Sequence, residues 1–130
     1  MTFYYLCSLG SNIAPEYNIS RAKSYLAGIA QQVHYSRVIS TEPVAMNSDN
    51  EFLNALFVVQ THLPADRLKQ AFNTIEISLG RDRSDPDCSI KDRPIDIDIL
   101  GTISSGPWPE VPDYLVTLKH EFQHQYEVAS

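Results

Sequence analysis

Between Lys91 and Leu100 the chain reads KDRPIDIDIL, with Asp96 and Asp98 interrupting Ile95, Ile97, Ile99 and Leu100 at a period of two. That alternation predicts a half-buried strand with both aspartates on one face and the isoleucines on the other. At about 3.3 Å rise per residue their Cα atoms lie roughly 6.6 Å apart. Two carboxylates so placed can share one hard cation or hold two cations close together. Asp is depleted in strands, so the pair needs a reason, although a solvated strand face would show the same letters. Arg81, Arg83, Lys91 and Arg93 precede the pair in a short window. Guanidinium groups beside paired carboxylates suit a metal–polyphosphate complex, the acids holding cations and the arginines holding phosphate oxygens. Asp82, Asp85, Asp87 and Asp92 share that window, so charge mixing in an exposed loop is the competing reading.

The elements that must position these groups belong to one domain, residues 1–130, large enough for a single core. A net charge of -6 gives no overall attraction to nucleic acid or anionic membrane, which argues against both as partners. The start, MTFYYLCSLGSN, has neither a basic nor a long apolar leader, and no later apolar run is long enough to span a bilayer. Cys7 and Cys88 are too few and too far apart for a disulfide framework or a zinc site. The expectation is a cytoplasmic chain with a buried Cys7 and a loop Cys88, both reduced.

In chain order, Thr2–Leu9 reads as a buried strand running into the turn Gly10-Ser11-Asn12. Pro15 to about Ala30 reads as a helix with Ile19, Ala22, Leu26 and Ile29 on one stripe. Val33–Thr41 is the second strand, in which Val33, Tyr35, Arg37 and Ile39 alternate against His34, Ser36 and Val38. Glu42–Glu51 is a long polar loop of the kind that often carries function. Phe52–Thr61 is the third strand, and Pro64 to Leu79 a helix stopped by Gly80. An irregular stretch then leads into the aspartate strand. Gly101–Pro112, with Trp108, is a connection, and Asp113–Ser130 a short strand or helix with a loose end. The order β-α-β-β-α-β predicts an α+β, ferredoxin-like antiparallel sheet with helices packed on one face, leaving the other open for a site.

Five segments, in order, resemble the hydroxymethyl-dihydropterin pyrophosphokinase family of folate biosynthesis over roughly residues 3–101. Leu9-Gly10-Ser11-Asn12 resembles its L-G-S-N after the first strand, and Thr41-Glu42-Pro43-Val44 its T-x-P-[LV] stretch. Phe52-Leu53-Asn54-Ala55 is similar to [FY]-L-N-A, and Ile75-Glu76 with Leu79-Gly80-Arg81 and Arg83 to the I-E…G-R-x-R run. Arg93, Asp96, Ile97, Asp98 and Ile99 resemble the end of its signature, R-x-x-D-[LI]-D-[LI].

The resemblance implies transfer of pyrophosphate from ATP to 6-hydroxymethyl-7,8-dihydropterin with release of AMP. Asp96 and Asp98 would bind two magnesium ions, and Arg81, Arg83 and Arg93 would clamp phosphates as catalytic residues. Asp98, nearest the attacking hydroxyl, could also help its deprotonation. Thr41, Pro43, Val44, Phe52, Asn54 and Phe122 would form the pterin pocket, Asn54 bonding the ring edge and the two phenylalanines stacking on its faces. Glu76, Ile99 and Tyr114, with the arginines, would meet ATP. The expected partners are these small molecules, with the protein a monomer. Departures accompany the match. Ile90-Lys91-Asp92 stands where the family has Trp-Gly-Pro, the loop before it is longer and more acidic, and Asp113 replaces the histidine of V-P-H-Y. Phe122 is shifted in spacing, Lys119 or His120 would have to replace an arginine, and an F-x-x-x-P-L segment is absent. They leave room for an alternative, a weakened or inactive relative that binds a pterin or nucleotide without transfer.

Overall fold

The computed structural model describes residues 1–41, 52–80, 94–103 and 107–129. Its elements are β1 (Phe3–Ser11), α1 (Pro15–Ala27), β2 (Gln32–Tyr35), β3 (Ile39–Thr41), β4 (Phe52–Thr61), α2 (Ala65–Ser78), β5 (Asp96–Thr102) and α3 (Val116–Ala129). A single 3-10 turn, Asp113–Leu115, leads into α3. The strands form one antiparallel sheet in the order β2-β4-β1-β5, with β3 also paired to β4. This is the α+β, ferredoxin-like arrangement that the element order predicts.

The central strands β1 and β4 carry near-continuous apolar runs because both their faces are covered. On one face, Tyr5, Cys7, Leu9, Ala55, Phe57, Val59, Ile95 and Ile97 pack against Ile19, Ala22 and Leu26 of α1 and Leu68, Phe72 and Ile75 of α2. α1 stops at Gly28, short of the expected Ala30, and α2 ends before Gly80, whose φ of 107° disfavours any side chain.

The opposite face is not open along its whole length, which corrects the expectation from the element order. Leu115, Leu118 and Phe122 from the turn and α3, with Trp108, bury Leu6, Leu56 and Val58 in a second apolar layer. Trp108, Phe122 and Tyr126 meet edge to face, with ring centroids 5.6–6.4 Å apart. The tail is thus a helix whose apolar residues recur at helical spacing and find a sheet to bury against.

The predicted second strand is two strands. Tyr35 pairs with Phe57 but Ile39 with Asn54, so one extra residue is inserted between them. Ser36 makes the insertion possible. Its N–H donates to the Leu56 carbonyl at 2.8 Å, and its hydroxyl accepts the Leu56 N–H at 2.8 Å in place of a strand carbonyl. Such a bulge flips every later side chain to the other face. Val33 and Tyr35 pack against the α1–α2 layer, whereas Ile39 packs against the α3 layer.

Tyr35 supplies a stability test. Its hydroxyl is buried with no hydrogen-bond partner among the described residues, and burial pushes its pKa up to about 12. Tyr35→Phe keeps the ring contact with Phe57 and is expected to be neutral to stabilising, by up to about 1 kcal/mol, in denaturant titrations at pH 7. Because the folded-state pKa is raised, the unfolded chain ionises first. The wild type should therefore lose stability as pH climbs from about 10 to 12, and the phenylalanine variant should lose less.

Candidate functional site

Buried polar side chains gather at one end of the sheet. Ser11, Asn12 and Asn54 are at most 8% exposed and Glu76 is fully buried. Buried polar groups persist where they are bonded, so their concentration marks a built region. Register explains how it assembles. Gly10 of β1 pairs with Asn54 of β4 on one side and with Asp96 of β5 on the other. With strands about 4.8 Å apart, Asn54 and Asp96 stand roughly 10 Å from each other across Gly10. Ser8 pairs with Asp98 one step further along, and Thr41 pairs with Phe52 at the rim.

The parity of the strands sends Asn54, Phe52, Asp96 and Asp98 to the face opposite α1 and α2. The bulge at Ser36 brings Thr41 to the same face, where its hydroxyl accepts a hydrogen bond from the Asn54 amide at 2.5 Å. Gly10 is the floor between them. A Cβ built there would lie 2.5 Å from Asn54 Oδ1, so only glycine lets the amide lie over β1. Gly10→Ala should therefore push the amide away from Thr41. The expected result is a loss of about 1–2 kcal/mol in folding stability, read by denaturant titration.

Asp96 is half-buried and Asp98 exposed on β5, while Ile97 and Ile99 face the helices. Two hard oxygen donors side by side on a stiff strand fit magnesium, which uses one or two carboxylates and takes its other ligands from water and phosphate. Among the described residues no cluster of three or more His, Cys, Asp and Glu side chains forms. Cys7, beside this strand in the register, is fully buried. Burial, with a smaller effect from the Asp98 charge, pushes its thiol well above the usual range, and it is an inert core group.

A cleft of about 130 Å³ opens between α2 and β5, lined by Lys69, Phe72, Asn73, Ile97, Asp98 and Ile99. It brings Ile99, named from the sequence, beside two residues that sequence reading missed. Lys69 and Asn73 are one helical turn apart on α2, a spacing that becomes informative once α2 is known to lie along β5. Glu76 continues that line, and its Oε2 accepts the Ile97 N–H at 2.8 Å.

The remaining sequence-named residues divide. Phe122 lies on the same sheet face, in the α3 layer with Leu6, Leu56 and Val58, and lines a larger cleft of about 500 Å³ with Tyr4, Gln32, His34, Gln60, Gln125 and Tyr126. Phe122 shares its cluster with Leu56, which stands two residues, about 7 Å, along β4 from Asn54 on the same face. The lining of the larger cleft includes neither Asp96 nor Asp98. Tyr114 is half-exposed in the 3-10 turn ahead of α3. Pro43, Val44, Arg81, Arg83, Arg93 and Cys88 lie outside the described residues. Among the described residues no helix is long and apolar enough to cross a membrane.

Residues 6–127 match the family model for 7,8-dihydro-6-hydroxymethylpterin-pyrophosphokinase. Over 102 residues the chain is 33% identical to the 2-amino-4-hydroxy-6-hydroxymethyldihydropteridine pyrophosphokinases of two Porphyromonas gingivalis strains, ATCC 33277 and W83. Those alignments cover 77% of this chain and 69% of each relative.

Proposed function

The chain belongs to the 7,8-dihydro-6-hydroxymethylpterin-pyrophosphokinase family, and on that premise we propose that it transfers the β,γ-pyrophosphate of ATP to 6-hydroxymethyl-7,8-dihydropterin. The pterin hydroxymethyl oxygen attacks the β-phosphorus, the bond from that phosphorus to the α,β-bridging oxygen breaks, and AMP leaves as the hydroxyl proton passes to solvent. The observation that carries this reading is the row Asn54–Gly10–Asp96. It puts an amide and a carboxylate on one sheet face with a side-chain-free floor between them, which supports a reading in which the first recognises a ring and the second holds a cation.

In this arrangement the Asn54 amide, steadied by Thr41, reads the hydrogen-bonding edge of the pterin, and Phe52 supplies an apolar wall. The residues that Gly10 leaves apart then aim the hydroxymethyl group towards Asp96 and Asp98. Two magnesium ions held by these aspartates would neutralise charge on the phosphate oxygens. Asp98, the more exposed of the pair, is the candidate to relay the hydroxyl proton on its way to solvent. Lys69 and Asn73, with the backbone at Ile99, border the nucleotide side of the site. Arg81, Arg83 and Arg93 are assigned to the phosphates from their place in the sequence signature. Phe122, clustered with Leu56 on the same sheet face, is the candidate to cover the other ring face of the pterin.

No observation favours the alternative of a relative that binds without transfer. A coupled assay of AMP release from ATP, magnesium and 6-hydroxymethyl-7,8-dihydropterin tests the choice. Activity that requires all three components supports transfer, and pterin binding without AMP release would sink it. On the same reading the protein works in the cytoplasm as a monomer.

A further inference from the structure

We propose that Glu76 is a positioning residue for Asp96 and Asp98, taking the place of a neighbouring strand along the outer edge of β5. The proposal rests on the metal reading above. Among the described residues β5 is an edge strand, bonded to β1 on one side only. Ile97, between the two aspartates, turns its N–H away from β1, and the Glu76 Oε2 accepts it at 2.8 Å. An edge N–H with no strand beside it would ordinarily go to water. Here it is held by a carboxylate that is fully buried on α2, a helix already fixed to the core by Leu68, Phe72 and Ile75.

The consequence falls on both aspartates at once. Their Cα atoms are joined to the Ile97 backbone, so a shift of that segment moves both carboxylates together. A charge-assisted bond resists the shift more strongly than a neutral one. Groups that orient metal ligands from behind change metal affinity about 10–100-fold when removed. Sequence alone gives no hint of this role, because Glu76 and Ile97 are brought together only by the packing of α2 on β5.

Glu76→Ala and Glu76→Gln test it, with Mn²⁺ as the probe. Mn²⁺ binding is followed by electron paramagnetic resonance with a non-hydrolysable ATP analogue present, alongside hydrogen exchange at the Ile97 amide and pterin binding by fluorescence. The alanine variant should bind Mn²⁺ at least about tenfold more weakly and exchange the Ile97 amide faster, while pterin affinity stays within about twofold. The glutamine variant, which keeps a neutral acceptor, should fall between it and the wild type. Wild-type Mn²⁺ affinity and Ile97 exchange in Glu76→Ala would overturn the proposal alone. If that variant does not fold, an Ile97 exchange rate unchanged in Glu76→Gln overturns it instead. A wild-type protein that takes no Mn²⁺ would overturn the metal reading itself, and this inference with it.

Discussion

Asp98→Ala is expected to cut AMP release by about a thousandfold while pterin affinity changes by no more than about twofold. The reasoning is positional. Asp98 lies on the exposed part of β5, one register step beyond the Gly10 row, so it can reach cation and phosphate without supporting the core. Charge neutralisation on transferring phosphate oxygens contributes several kcal/mol to the barrier, and about 4 kcal/mol corresponds to roughly a thousandfold in rate. The proposed pterin contacts, Thr41, Phe52 and Asn54, belong to β3 and β4, across β1 from Asp98, so binding should survive. Asp98→Asn, which keeps shape but removes charge, should lose nearly as much. Single-turnover measurements at saturating ATP and pterin check both variants, and wild-type rates in Asp98→Ala would refute the cation assignment.

Asn54→Ala should have the complementary effect, weakening pterin binding by about 30–100-fold, or roughly 2–3 kcal/mol. A site built to hydrogen-bond a ligand loses twice when its polar group is removed. The ligand's donors and acceptors go unpaired, and the Thr41 hydroxyl that steadied the amide is left behind. The fold should hold, because Leu56, Val58 and Val59, further along β4, carry the core packing. Equilibrium fluorescence titration reads the loss directly, and Mn²⁺–nucleotide binding should stay at the wild-type level. Equal pterin affinity in the wild type and Asn54→Ala would remove the pocket from this end of the sheet.

Several features of this protein follow from its letters alone. Period-two alternation puts Asp96 and Asp98 on one face, because successive strand residues point to opposite sides whatever the strand packs against. The apolar stripes of α1 and α2, the glycine stop of α2 and the run Phe52–Thr61 are equally local, and the structure repeats them to within a few residues. The place of Thr41 is different. Unbroken alternation from Val33 sends it to the helix-covered face. The bulge at Ser36 returns it to Asn54, and that bulge exists because a serine hydroxyl takes the Leu56 amide across the sheet. The same holds for the α3 layer, whose stripe is readable but whose partner, the far side of Leu6, Leu56 and Val58, is not. It holds also for Glu76, buried beneath Ile97. Local periodicity fixes which way a side chain points from its own backbone. Which groups meet depends on register and on helix placement, and those are set by contacts between residues distant in the chain.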